Sequence, residues 1–168
     1  MRAVTAWVAA AVLSLPSGVA AQVEAGASLS ITDVGGATFG LAVRLGAVVY
    51  DGSDWSFRIE GVGDLFFPDC DVVECDALGG EVNLLMQRRF GGRYQAYVGA
   101  GWMYEKVTLV QDNNEVFDGD DWGINLLLGN RLSSSSRVQP FIEIRISLMR
   151  ELADQLAFSG GVRVPLGG

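Results

Sequence analysis

The sequence predicts an all-β protein, a single eight-stranded antiparallel up-and-down barrel. Alternation of apolar and polar residues recurs along the chain, and no stretch keeps the 3.6-residue period of an amphipathic helix. The chain has 22 glycines and 19% charged residues, a composition unlike that of a disordered or a soluble helical protein. Its length of 168 residues fits one domain.

The N-terminal segment has the pattern of a secretory signal peptide. Met1 and Arg2 give a positively charged start, residues 3–15 are apolar and residues 19–21 are small. A membrane anchor is the alternative, but the apolar run is shorter than the roughly 20 residues that span a bilayer. We therefore expect residues 1–21 to be a signal peptide and residues 22–168 to form the exported domain.

Eight segments of the exported domain are predicted to be strands. Residues 138–148 show the clearest alternation, since Ile142 and Ile146 share one face while Glu143 and Arg145 share the other. Residues 93–109 repeat this pattern, and the other segments follow it with more noise. In chain order the predicted strands cover residues 23–31, 37–49, 55–66, 78–90, 93–109, 121–132, 138–148 and 156–166.

The predicted connections alternate in length. Residues 51–54, 91–92 and 133–136 form short turns, whereas residues 67–77 and 110–120 form longer, acidic loops. In an up-and-down meander every second connection lies at the same end. The short turns therefore share one end of the barrel, called the turn end, and the long loops share the other, called the loop end.

Eight antiparallel strands can close into a barrel, which leaves no unpaired edge. A soluble lipocalin-like barrel points its apolar stripe inward, whereas a membrane barrel points it outward. Aromatic residues cap the apolar stripes at both ends, as in the interfacial girdles of membrane barrels. The predicted girdles are Trp55, Phe90 and Tyr94 at the turn end, and Phe39, Phe67, Trp102, Tyr104, Trp122 and Phe158 at the loop end. We therefore predict a transmembrane β-barrel.

The opposite stripe mixes glycine with charges of both signs, as a narrow interior requires. Side chains just fill an eight-stranded barrel, so we expect the inward charges to pair and to plug the lumen. A gated polar path or a proton site is the alternative. The predicted ionic network consists of Glu24, Glu60, Glu81 and Glu143 with Arg44, Arg58, Arg145 and Arg163.

In strand number, stripe pattern and loop alternation, residues 22–168 resemble the small eight-stranded outer-membrane barrels of the OmpA transmembrane domain and OmpX type. The resemblance implies residence in the bacterial outer membrane, with its lipids and its assembly machinery as partners. Such barrels usually end in an aromatic residue that this machinery reads. Here the last aromatic residue is Phe158, and the final residues are Leu166, Gly167 and Gly168.

Two cysteines, Cys70 and Cys75, lie in the first long loop. In an exported protein such a pair is most simply a disulfide, and the spacing matches no common thiolate metal site. Calcium is a further alternative for the acidic segments, but residues 112–115 lack the spacing and the glycine of an EF-hand loop. We expect a disulfide and no metal site.

The composition excludes several functions. The chain has no histidine, which removes catalytic triads and most zinc and haem sites, and its net charge of −8 argues against nucleic-acid binding. We expect a non-enzymatic protein without a cofactor, acting as a structural or surface-recognition protein through its acidic external loops. The alternatives are a small outer-membrane channel for apolar solutes and a soluble periplasmic lipocalin-like lipid-binding barrel.

Overall fold

A computed structural model shows a closed barrel of eight antiparallel strands, joined in sequence order. It describes residues 23–33, 38–68, 74–90, 94–111, 114–132 and 137–166. No helix among them is long and apolar enough to cross a membrane. The strands are β1 (Val23–Thr32), β2 (Thr38–Asp51), β3 (Trp55–Phe67), β4 (Glu74–Phe90), β5 (Tyr94–Gln111), β6 (Asn114–Leu132), β7 (Gln139–Met149) and β8 (Gln155–Pro165). The predicted fold class is confirmed.

The first and last strands close the sheet. β1 pairs antiparallel with β8 from Glu24 opposite Pro165 to Thr32 opposite Ala157. The ladder also runs without interruption through the other seven strand pairs, apart from one register shift near Val48 in β2 and one near Leu109 in β5. Closure gives each of the eight strands a paired neighbour on both sides, so none of them is an edge strand of the sheet.

Two strands begin earlier than the sequence predicts. β4 begins at Glu74 instead of residue 78, and β6 begins at Asn114 instead of residue 121. The expected loop 110–120 is therefore largely a hairpin, in which residues 114–121 pair with β5 and not with β7. Residues 114–120 lack the alternation of apolar and polar residues by which strands are predicted, so the sequence pattern does not extend to this part of β6.

Side-chain direction follows the pleat and gives the two faces opposite polarity. In β7, Phe141, Glu143 and Arg145 are buried, while Ile142 and Ile144 between them are exposed. The other strands follow the same rule, with charged and polar groups inside and aliphatic groups outside. This polarity is the reverse of that of a soluble barrel.

Interior glycines provide space for the large inward side chains. A Cβ atom on Gly161 would lie 2.2 Å from the carbonyl oxygen of Ala27 and 2.7 Å from Cβ of Ser28. A Cβ atom on Gly101 would lie 2.0 Å from the side-chain oxygen of Asn83. The predicted association of glycine with the inward stripe therefore has a steric reason at these positions.

The neighbouring residues Gly160 and Gly161 allow a matched test of this packing. A Cβ atom at 161 meets backbone of β1, which cannot move aside, whereas a Cβ atom at 160 meets nothing within 4 Å. We expect Gly161→Ala to lower the free energy of unfolding by about 1–3 kcal/mol and Gly160→Ala to leave it nearly unchanged. Urea titration in detergent micelles, followed by tryptophan fluorescence, measures both; equal midpoints would contradict this account.

Candidate functional site

The centre of the lumen contains a branched ion-pair cluster that joins four strands. Arg44 of β2 contacts Glu60 of β3 at 3.1 Å and Glu143 of β7 at 2.9 Å. Its Nε donates to the hydroxyl of Ser28 at 3.1 Å. Arg163 of β8 donates to the same Glu60 at 2.8 Å. Because these partners are far apart in sequence, the cluster ties the first half of the barrel to the second.

A second cluster lies towards the turn end. Glu24 of β1 forms an ion pair with Arg58 of β3 and contacts Arg131 of β6 at 2.8 Å. Arg131 also donates through Nε to the side-chain oxygen of Gln95 at 2.9 Å. One carboxylate thus lies between two guanidiniums, which the several acceptor positions on its two oxygens permit.

A third cluster lies towards the loop end. Arg145 of β7 is shared by Asp64 of β3, at 3.3 Å, and by Glu81 of β4. Asn83 donates its amide to Glu81 at 2.9 Å. All four side chains are buried. Here two carboxylates share one guanidinium, the opposite of the arrangement at the turn end.

Aromatic rings pack against the charged groups of the central cluster. The guanidinium of Arg163 lies 4.4 Å from the ring centroid of Phe141 and 5.4 Å from that of Tyr97. The Tyr97 hydroxyl donates to Glu143 at 2.9 Å. The cations are therefore stacked as well as paired, and the rings occupy space that water would need.

Two buried carboxylates have no guanidinium partner within the described residues. These residues bury seven carboxylates and five guanidiniums. Asp121 accepts hydrogen bonds from three backbone amides, those of Trp122, Glu151 and Leu152, at 2.7–2.8 Å. Glu105 accepts one from the side-chain amide of Gln155 at 2.7 Å. Both of these carboxylates without a guanidinium partner belong to the half of the barrel nearer the loop end.

The structure places all eight residues of the predicted ionic network inside the lumen, but in three clusters and not one. Two partners were missed by the sequence analysis. Asp64 has the same parity in β3 as Arg58 and Glu60, and continuing that stripe finds it. Arg131 has the inward parity of Asn125 and Leu127 in β6, although its place near a turn suggests a solvent-exposed arginine.

The predicted girdle residues lie on the outer surface. Trp55, Phe90 and Tyr94 are exposed near the turn end, and Trp102 is the most exposed of those towards the loop end, at 71%. The remaining predicted girdle side chains, all exposed as well, are Phe39, Phe67, Tyr104, Trp122 and Phe158. Aliphatic side chains such as Val98 and Leu128 are exposed between the two groups.

Several predicted features lie outside the described part of the chain. Residues 1–21 and Cys70 are among these, and of Cys75 only the backbone, in β4, is described. The predicted signal peptide and the Cys70–Cys75 disulfide therefore stay predictions. Within the described residues no group of three or more His, Cys, Asp or Glu side chains could hold a metal ion.

No protein-family model matches the sequence, and a search of the curated proteins gives no match. Solved structures are similar in fold. The attachment invasion locus protein Ail of Yersinia pestis has a TM-score of 0.66 at 11% identity, over 86% of this chain and 95% of that one. Neisserial surface protein A has a TM-score of 0.62 at 16% identity, over 87% and 97%.

The outer-membrane enzyme PagL is also similar, with a TM-score of 0.56 at 12% identity, over 85% of this chain and 99% of that one. The chain therefore has the fold of the small eight-stranded outer-membrane barrels, as its sequence pattern predicts. Because an outer-membrane enzyme shares this fold with an attachment protein and a surface protein, the fold alone does not decide whether the chain is catalytic.

Truncation of Glu60 tests the ion pairs against cavity formation alone. Glu60→Ala leaves Arg163 without any carboxylate within 4.0 Å in the described residues. We therefore expect the free energy of unfolding to fall by about 3–5 kcal/mol. Glu105→Ala removes the same number of atoms from a buried site but strands no guanidinium. Glu105→Ala should therefore lower the free energy of unfolding clearly less than Glu60→Ala does. Urea midpoints of the two variants in detergent provide the comparison, and a larger loss for Glu105→Ala would contradict the pairing.

Proposed function

We propose that the chain is an outer-membrane β-barrel protein with a closed lumen, acting as a structural or surface-recognition protein through acidic segments at its loop end. The observation that carries the membrane assignment is the inverted polarity of the barrel. Its outer wall is aliphatic between two rows of aromatic side chains, and its interior is ionic. An apolar surface of this extent is stable in a lipid bilayer and not in water.

The height of the apolar wall supports the same assignment. Tyr94 and Tyr104 bound the exposed stripe of β5, and they are ten residues apart. At about 3.4 Å per residue and a tilt of about 40°, this stripe rises about 25 Å, the height of the apolar band of outer-membrane barrels.

The filled lumen argues against a channel. Large side chains from six strands meet inside, and each charged one among them has an ionic partner in the lumen. These side chains are Arg44, Arg58, Tyr97, Arg131, Phe141, Glu143 and Arg163. A solute that passes through the axis would have to break these pairs and leave buried charges unpaired, which is costly. We therefore propose a plug as the role of the ionic residues.

Catalysis has little support in the described residues. The sequence holds no histidine. Ser56 and Ser147 donate to amide oxygens, and Ser28 accepts from Arg44, so none of these three hydroxyls faces a carboxylate base. Loop-end segments then remain as the place for a specific function, since the wall faces lipid and the interior is packed.

Charge at the loop end favours a cationic partner. Eight acidic residues fall in two segments there: Asp69, Asp71, Glu74, Asp76, Asp112, Glu115, Asp118 and Asp120. One structure of Ail contains the heparin analogue sucrose octasulfate. Anions of that kind would be repelled here, whereas a basic protein surface would be attracted.

Membrane residence can be tested on the refolded exported domain. We expect it to insert into phospholipid vesicles, to float with them in a density gradient, and to migrate differently on electrophoresis before and after boiling. The apolar wall is the physical reason, because it has to be covered by lipid or detergent. A monomer that stays soluble without detergent would overturn the assignment and favour the lipocalin-like alternative.

Recognition can be tested with polylysine as a basic probe. We expect the double variant Asp112→Asn/Glu115→Gln to bind polylysine several-fold more weakly than the wild type at low salt, and the difference to vanish at high salt. Asp51→Asn/Asp54→Asn, at the turn end, is the matched control with the same change in charge. Equal weakening by both pairs would mean that net charge and not the loop end governs binding.

A further inference from the structure

Arg88 is a cation on the outer wall of the barrel, and its surroundings differ from those of the interior arginines. It lies in β4, directly opposite Trp55 of β3 and Ala96 of β5. Its side chain is exposed, with the outward parity of Leu84 and Met86. It therefore emerges from the surface that we assign to lipid.

Two aromatic rings hold the guanidinium. Its central carbon lies 5.1 Å from the ring centroid of Trp55 and 5.2 Å from that of Phe90. Cation–π contacts of this kind restrict the guanidinium and occupy its faces. The N–H groups at its edge point in the plane of the group, which is how arginine binds a phosphate with two parallel hydrogen bonds.

Arg88 has no anionic partner among the described side chains. No carboxylate there lies within 4.0 Å of it, whereas the next residue, Arg89, forms an ion pair with Asp51. At the loop end Arg150 also stacks on a tryptophan, Trp122, but has Glu151 at 3.9 Å. The guanidinium of Arg88 is thus stacked on aromatic rings, while its N–H groups have no carboxylate partner among the described residues.

The depth of Arg88 points to the source of the anion. Phe90 faces Tyr94 in the aromatic row of the turn end, and Arg88 is one outward position nearer the middle of the apolar wall. Met86 and Val98, the next outward residues, are aliphatic. An anion that meets Arg88 at this depth has to reach into the membrane boundary, where the phosphates of phospholipid headgroups lie.

We propose that Arg88, Trp55 and Phe90 form a phospholipid headgroup site at the turn end, with the lipid phosphate bound to the edge of the guanidinium. The proposal rests on the membrane residence proposed above. It assigns to the turn-end girdle a role beyond anchoring, because it fixes one lipid at a defined position on the β3–β4 wall. The shape of arginine is required here as well as its charge.

Native mass spectrometry of the exported domain in detergent tests the site, with phosphatidylglycerol and the phosphate-free lipid diacylglycerol as probes. We expect the wild type to retain phosphatidylglycerol preferentially, and R88Q to retain about tenfold less, as the loss of a charge-assisted bidentate pair implies. R88K should recover only part of the retention. R89Q, with the same change in charge on the adjacent residue, should match the wild type.

Each contrary result has a separate meaning. Retention by R88Q at the wild-type level, or equal retention of diacylglycerol, would overturn the headgroup site. So would displacement of the lipid by inorganic phosphate, which would assign the site to a free anion. All variants are first checked for insertion into vesicles. Failure of the wild type at that step would refute the membrane assignment, whereas insertion followed by unchanged lipid retention in R88Q would refute the headgroup site alone.

Discussion

The barrel depends on the neutralisation of buried guanidiniums, five of them in the described residues, inside a narrow closed sheet. An unpaired charge in such a space costs several kcal/mol, so each arginine needs a carboxylate that arrives from another strand. Glu60 serves arginines of β2 and β8, and Glu143 of β7 reaches back to β2. The Arg44–Glu143 and Arg163–Glu60 pairs form only when β1 and β8 have met. The ionic interior and closure of the sheet therefore require each other, in addition to the backbone ladder.

Packing of these long side chains determines where small residues occur. An eight-stranded barrel has room for one layer of large side chains at each level, so a neighbour on the same face has to be small. Gly46 lies beside the guanidinium of Arg58, and Gly129 lies beside the ring of Tyr97, each with less than 3 Å to a hypothetical Cβ atom. The many glycines of the sequence thus follow from the ion pairs as much as from the turns.

The strands and their two faces could be predicted from sequence because both depend on a local period of two residues. Which charged side chains pair with one another could not be predicted from sequence. Which carboxylate meets Arg145 depends on the stagger of the strands around the barrel, and that stagger is a property of the closed sheet. Arg131 shows the limit well: its sequence position next to a turn suggests exposure, yet the register places it over the lumen beside Glu24. The early start of β6 could not be predicted because residues 114–120 lack the alternation on which the strand prediction depends.

Charge is distributed unequally along the barrel axis, and this asymmetry gives the molecule two chemically different ends. Within the described residues, the two buried carboxylates without an arginine belong to the half nearer the loop end, whereas Glu24 near the turn end is shared by two arginines. Outside, Arg88 and Arg89 are exposed near the turn end. The cationic turn end fits the phospholipid site that we propose at Arg88, and the acidic loop end fits the basic partner that we propose. Because fold similarity at 11–16% identity leaves function open, this polarity along the axis is the property of the chain itself that best constrains what each end can bind.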